Sequence, residues 1–529
     1  MLSRYLALDT AAPDEVHVAL ERLRAQLEIE PDFSPEALAE ARTAVDAPLP
    51  DRDATDVPFV TIDPPGSRDL DQALHIERDG DGFLVRYAIA SLSTFVQPGG
   101  ALDREVHQRG VTVYGPTGSF PLHPPALSAG AASLLPHEDR PACLWELRLD
   151  ASGELVEAGV ERAVVRSRAQ LTYEQVQAAV DGGPALPGGV PTDLPDLLRT
   201  VGELRQGLER QRGGVSLEIP EQYIARNDHG YVLAFRATLP VEGWNAQISL
   251  LTGIAAAGLM REAGVGILRT LPDPDPRDVR RLRRAGAALG VDWPEGTSYA
   301  DLLRTLDSAV PAHAAFLNEA TMLFRGAGYL ALGVAAGDGG GNGDGRADRD
   351  GGAEREGVVE GKGGADGDGP ADSKERENGD ERTTRHAAIA AEYAHVTAPL
   401  RRLVDRYGLE ICVAHCAGEE VPAWVLDALP GLPSTMGRTT QRANAYERGA
   451  VDALEALVLE GCVGEIFQGV VVESDDGGKD GGTERGTVVI GSPAVEGRVE
   501  GEDLPVGERI GVRLVEVDVP ERLVRFELT

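Results

Sequence analysis

Lysine is nearly missing from this chain: Lys362, Lys374 and Lys479 are the only three in 529 residues. All three fall in low-complexity tracts, so the basic side of the rest is arginine, the better planar fork for phosphate. Cysteine is scarce too. Cys143, Cys412, Cys416 and Cys462 form no CxxC pair, which excludes a disulfide framework and a zinc knuckle. Cys412, His415 and Cys416, one helical turn apart, read as a helix face. No apolar run is long enough to span a bilayer, and acidic residues stand where a secretory leader needs a basic start, so we expect a cytoplasmic protein with no membrane partner. A basic excess is also lacking. The net charge of −35 argues at face value against a nucleic-acid partner. Much of that acid, however, lies in two low-complexity tracts. What is present is a globular composition, 42% hydrophobic, with length for several domains and a large core.

The chain is organised around Phe59-Val60-Thr61-Ile62-Asp63-Pro64-Pro65-Gly66-Ser67-Arg68-Asp69-Leu70-Asp71-Gln72. Phe59 to Ile62 reads as a buried strand that Pro64-Pro65-Gly66 must break and return. If the chain is again extended from Asp69, the two-residue period puts Asp69 and Asp71 on one face, where Asp63 can meet them. Three converging carboxylates repel one another unless a cation lies between them, and hard oxygen ligands suit magnesium better than zinc. On residue types alone the same stretch also reads as a solvated turn.

The string TID-x5-D-L-D resembles the signature of the RNB family of exoribonucleases. Further runs in the same order are similar to that family's segments: Tyr87 to Ser93, Pro98 to Asp103, Thr112-Val113-Tyr114-Gly115-Pro116, Arg166 to Tyr173, and Tyr393-Ala394-His395-Val396-Thr397-Ala398-Pro399-Leu400-Arg401-Arg402-Leu403-Val404-Asp405. The resemblance implies a hydrolytic 3′→5′ exoribonuclease that degrades single-stranded RNA to nucleoside 5′-monophosphates. It implies two magnesium (or manganese) ions, about 3.5–4 Å apart in such sites. Asp63, Asp69 and Asp71 would hold metal, and Arg401 would clamp the scissile phosphate. Tyr114 would stack on a base, worth roughly 1–3 kcal/mol, with Tyr173 near the terminal ribose. Arg402 would touch another phosphate or pair with Asp405, Glu447 would approach RNA, and His395 reads as a structural histidine. Gln72 stands where the family usually has a fourth aspartate; its carbonyl can meet a metal but brings no charge. Where the family normally shows an I-E-E-x-M-x-x-A-N helix with an acidic residue near the site, this chain has Val241-Glu242-Gly243-Trp244-Asn245, which leaves the register of Glu242 open, so no role is carried onto it.

The expected fold is α+β: an RNB catalytic domain of mixed sheet and helices over 56–415, a short helical N-terminal segment over 1–55, a helical linker over 416–463, and an OB-type barrel over 464–529. Val16, Leu20, Leu23 and Leu27 carry the helical period of the first segment, and Ser34-Pro35 is a cap followed by proline. That segment is too short for paired cold-shock barrels. Residues 337–381, rich in Gly, Asp and Glu, read as a disordered insertion. A monomer is expected. Two rival functions remain: a catalytically weakened or inactive RNA-binding protein on the same fold, for which Gln72 is the support, and a magnesium enzyme acting on a different phosphoester.

Overall fold

The structure, a computed structural model, describes residues 6–8, 13–215, 221–227, 230–236, 238–307, 310–333, 384–475, 484–491, 494–502, 504–505 and 507–529. The expected insertion 337–381 lies outside the described residues.

Val16, Leu20 and Leu23 form the buried face of α1 (Asp14–Gln26). Ser34 caps α2 (Pro35–Ala44), its hydroxyl oxygen accepting from the Ala37 N–H at 3.2 Å. Both helices are fastened to the body of the protein. The Ser34 N–H and hydroxyl donate to Glu105 (3.0 and 2.7 Å), the Leu102 N–H donates to Glu40 (3.1 Å), and Arg109 lies 3.8 Å from the centre of the Phe33 ring.

Five strands then close a barrel in chain order: β1 (Phe59–Ile62), β2 (Gln72–Asp79), β3 (Gly82–Ala90), β4 (Asp139–Leu149) and β5 (Leu155–Leu171). The Asp79-Gly80-Asp81-Gly82 turn joins β2 to β3, with Gly80 at φ 59°. Closure is parallel: Phe59 pairs with Ser167 and Ile62 with Leu171. The alternation of Phe83, Val85, Tyr87 and Ile89 does not separate a wet face from a dry one, because Leu84 and Ala88 are buried as well. Helices cover the outside of this barrel. α3 (Leu194–Arg212) lies against β2, and α4 (Pro240–Ala263) against β5.

After α4 the strand Gly266–Thr270 pairs antiparallel with Gly328–Leu332. Between them α5 (Pro276–Leu289) and a smaller cluster around Leu282, Phe316, Leu317 and Met322 make a second core. α6 (Leu403–Ala417) packs on α4 and β5 and runs through residue 415, where the sequence reading had placed a boundary. α7 (Leu432–Leu459) supports both α1 and the strand Val113–Gly115; a Cβ on Gly449 would lie 2.6 Å from Leu23 Cδ2. The last five strands, β6 (Ile466–Asp475), β7 (Glu484–Gly491), β8 (Ala494–Gly501), β9 (Arg509–Asp518) and β10 (Leu523–Leu528), close in the order β6-β7-β8-β10-β9, an OB-type barrel. Among the described residues no helix is long and apolar enough to cross a membrane.

Candidate active site

β1 ends at Ile62, and the Asp63 N–H donates to the Leu171 carbonyl at 3.0 Å, which fixes Asp63 at the barrel rim. The two prolines and Gly66, at φ 83°, reverse the chain. Residues 67–71 are not strand. Side chains hold them instead: Gln170 donates to the Ser67 carbonyl (2.8 Å), and Ser133 Oγ accepts from the Leu70 N–H (3.0 Å) while donating to the Arg68 carbonyl (2.6 Å). Leu70 is thereby pressed into the core. Asp69 stays exposed and Asp71 is buried, with 4% exposure. The shared face expected of Asp69 and Asp71 does not form, because the strand begins only at Gln72.

The second motif meets the first here. The Leu400 N–H donates to Asp71 Oδ1 at 2.8 Å, and Arg401 Nε lies 3.7 Å from Asp71 Oδ2. The Gln72 amide donates to the Thr397 carbonyl. Arg401 keeps 47% of its side chain exposed, so its fork can reach a ligand. The Thr112 N–H donates to the Arg401 carbonyl (3.0 Å) and the Leu403 N–H to that of Gly110 (2.9 Å), which binds this segment to the strand carrying Tyr114. Arg402 is committed elsewhere: it is bidentate on buried Asp405 (2.9 and 2.8 Å), and Asp405 Oδ1 also accepts from the Ala398 N–H at 2.6 Å. Of its two expected roles, the structure places it in the pair. His395 is buried and bonded to the Tyr329 hydroxyl at 2.8 Å, as a structural histidine should be.

Tyr114 is half-buried within hydrogen-bond reach of Arg401 and feels the charges of Asp69 and Asp71; burial pushes its hydroxyl up to about 12. Tyr173 reaches Asn245 and neighbours Asp63, and burial raises it to about 12 as well. Glu447 lies on α7 beside Tyr446, whose ring meets Phe120 edge-on at 5.6 Å on the strand paired with that of Tyr114; burial lifts its carboxyl to about 7. The structure therefore gathers Asp63, Asp69, Asp71, Gln72, Tyr114, Tyr173 and Arg401 about one rim. Glu447 adjoins it by way of the Tyr114 hairpin.

Electrostatics favour a hard cation at this rim. Burial drives Asp63 up to about 7, with Arg401 opposing and Asp69 adding to the rise. Burial drives Asp71 up to about 8 against the pull of Arg401 and the Leu400 N–H. Desolvated carboxylates with one partly exposed arginine between them are short of positive charge. Yet among the described residues no three His, Cys, Asp or Glu side chains are grouped closely enough to cage a metal ion. A divalent cation at this rim would therefore complete its shell with water and with oxygens of a ligand. Asp63, Asp69 and Asp71 line the rim where such an ion would sit, and the structure does not draw all three onto one point.

Two neighbours were not assigned from sequence. Asn245 touches Tyr173, and Ser249, one helical turn on, bonds the Tyr87 hydroxyl at 2.9 Å beneath the site. Glu242, left open by its register, turns out to brace α4: it accepts from the Leu239 N–H (2.8 Å) and from Arg236 (2.8 and 3.2 Å). The helical period of Val241, Trp244 and Ile248 was the available signal, since it sets which residues of this helix face away from the core.

A family model for the RNB domain matches residues 51–324, slightly more than half of the chain, and one for the RNase II-type exonuclease C-terminal S1 domain matches residues 465–529. The chain belongs to the RNB family. Its RNB domain therefore contains the first motif, and the terminal barrel is an S1 domain. Ribonuclease R of Aquifex aeolicus is 25% identical over 550 residues, covering 98% of this chain and 71% of that protein. Ribonuclease R of Escherichia coli is 25% identical over 519 residues, covering 90% of this chain and 57% of that protein. In fold, the apo form of Mycoplasma genitalium RNase R is similar at a TM-score of 0.75 with 17% identity, covering 98% of this chain and 78% of that one. The yeast protein Ssd1, described as a pseudonuclease, is similar at 0.59 with 14% identity, covering 89% and 54%.

Proposed function

We propose that the chain is a hydrolytic 3′→5′ exoribonuclease that degrades single-stranded RNA to nucleoside 5′-monophosphates with magnesium or manganese. The observation that supports it most is the meeting of two motifs at one carboxylate: Asp71, buried, accepts from the Leu400 N–H across 329 residues of sequence and faces Arg401. Divalent cations held by Asp63, Asp69 and Asp71 would supply an activated water and charge for the leaving 3′ oxygen. The exposed part of Arg401 neutralises a phosphate oxygen as charge builds there. The Leu400 N–H orients Asp71, and the Asp405 bracket on Arg402 and Ala398 keeps the Arg401 backbone still. Tyr114 offers a ring face to any base, and Tyr173, beside Asn245, lies where a terminal ribose would rest. On this reading 56–415 does the chemistry, 464–529 holds RNA, and 1–55 and 416–463 brace them.

Gln72 supports a second reading, an RNA-binding protein without turnover, since it brings no charge and spends its amide on Thr397. The fold carries both readings. Single-stranded RNA labelled at the 3′ end or the 5′ end separates them. With magnesium, an exonuclease of this direction frees the 3′ label at once as a mononucleotide and shortens the 5′-labelled strand in steps. Binding without cleavage at any magnesium or manganese concentration overturns the catalytic reading in favour of the second.

A further inference from the structure

We infer that the outer face of α5 is an RNA contact separate from the Asp71 site, a strip of arginines that holds the sugar-phosphate backbone of a longer strand. This rests on the proposed action on RNA. The run Arg277-Asp278-Val279-Arg280-Arg281-Leu282-Arg283-Arg284 places five arginines in eight residues of a chain whose net charge is −35. At about 100° per residue, Val279, Leu282, Ala285 and Leu289 share one side of the helix and Arg277, Arg280, Arg281 and Arg284 the other. The packing agrees. Leu282 is buried in the cluster around Phe316, Ala285 meets Val470 and Val472 of β6, and Arg277, Arg280, Arg283 and Arg284 are exposed.

Other exposed arginines of the protein are matched to acids, among them Arg52 with Glu161, Arg148 with Asp79 and Arg199 with Asp196, and what sets α5 apart is five arginines within eight residues. Among the described residues, Arg277, Arg280, Arg283 and Arg284 have no carboxylate within ion-pair distance. Arg283 lies instead over the Trp293 ring at 4.5 Å. Asp275 is occupied in capping the helix, accepting from the Arg277 N–H at 2.7 Å. Like charges a turn apart repel, so an acidic protein that leaves them unmatched holds a face complementary to a polyanion.

Position strengthens the assignment. α5 hangs from the strand pair whose Tyr329 holds His395 of the site motif, and its other side rests on the S1 barrel. Arg284 adjoins Gly507, and Arg509, opposite Val470 in the β6–β9 register, carries the strip onto the barrel past exposed Glu508.

The test uses the full chain, a triple variant Arg277→Gln, Arg280→Gln, Arg284→Gln, and the same three changed to Lys. Affinity for labelled single-stranded RNA of roughly five and about thirty nucleotides is measured against salt, in EDTA so that nothing is degraded. For the long RNA, losing three phosphate contacts should reduce the slope of log affinity against log salt by about 2. The short RNA should be unaffected, and the Lys variant should keep the wild-type slope. Equal slopes for wild type and the Gln variant overturn the inference and leave the strip to an acidic protein partner. So does a loss as large on the short RNA as on the long. Wild-type protein that binds neither RNA overturns the proposed function as well, so the two failures are distinguishable.

Discussion

An aspartate at position 72 would turn a carboxylate toward the Thr397 carbonyl, where Gln72 turns an N–H donor. Two acceptors would then face each other. Without metal, Gln72→Asp should lower stability by about 1–3 kcal/mol, the cost of a partly buried polar group left unmatched. If magnesium sits at this rim, the new charge should in exchange reduce the concentration needed for half-maximal stabilisation. Thermal unfolding in EDTA and across a magnesium titration reads both effects, and an unchanged EDTA melting temperature would show that the Thr397 tether is worth nothing. Asp71→Asn keeps an oxygen for the Leu400 N–H but removes the charge. Hydrolysis should fall by at least about a hundredfold, the scale of one lost electrostatic contact to developing charge, while RNA affinity in EDTA stays near wild type. Retention of most turnover would remove Asp71 from the machinery. The raised carboxyls also set a pH dependence. Asp63 at about 7 and Asp71 at about 8 hold protons more tightly folded than unfolded, where a carboxyl sits at about 4, so the metal-free fold should lose stability as pH rises from about 4 to about 8. Magnesium must displace those protons, so its affinity should rise over the same interval. The Asp63→Asn, Asp71→Asn double variant should show a flatter profile on both measures.

At the scale of elements, α4 reaches the site motif through a glycine. A Cβ on Gly253 would lie 2.0 Å from Tyr393 Cε2 and 2.7 Å from the Ala394 carbonyl, whereas one on Gly258 of the same helix meets nothing within 4 Å. Gly253→Ala should cost about 1–3 kcal/mol by overpacking and slow turnover, because Tyr393 and Ala394 lead directly into His395 and the Arg401 segment. Gly258→Ala should be neutral or stabilising by up to about 1 kcal/mol. Equal melting temperatures for the two variants would refute the close approach. Much at this scale could be read from residues: the β2–β3 hairpin from its Asp-Gly turn, the start of α2 from Ser34-Pro35, the terminal barrel from its short strands. The closing of β1 on β5 could not, because parallel pairing leaves no local turn to announce it. Nor could the late start of β2, at Gln72 and not at Asp69. It depends on the Ser133 hydroxyl gripping both sides of Asp69, a contact from another part of the chain. Arg402 was legible as one of two alternatives, and the pair with Asp405 three residues on is the one the structure displays.

At the scale of the whole molecule, the site is held by ties between distant parts of the chain. Asp71 binds Leu400 across 329 residues, Arg406 binds Asp103 across 303 at 2.6 Å, and the Tyr407 hydroxyl meets His107 across 300 at 2.8 Å. All three partners on the late side lie within one short segment, residues 400–407. That has a consequence in time. A ribosome adding 5–20 residues per second takes roughly 16 to 66 s to travel from Asp71 to Leu400. During that interval the barrel strands can already pair, but Asp71 has neither its backbone donor nor its arginine. On the proposed catalytic reading, an enzyme that consumes RNA would be made next to its own message in a form that lacks Arg401, which arrives only when more than three-quarters of the chain has been translated.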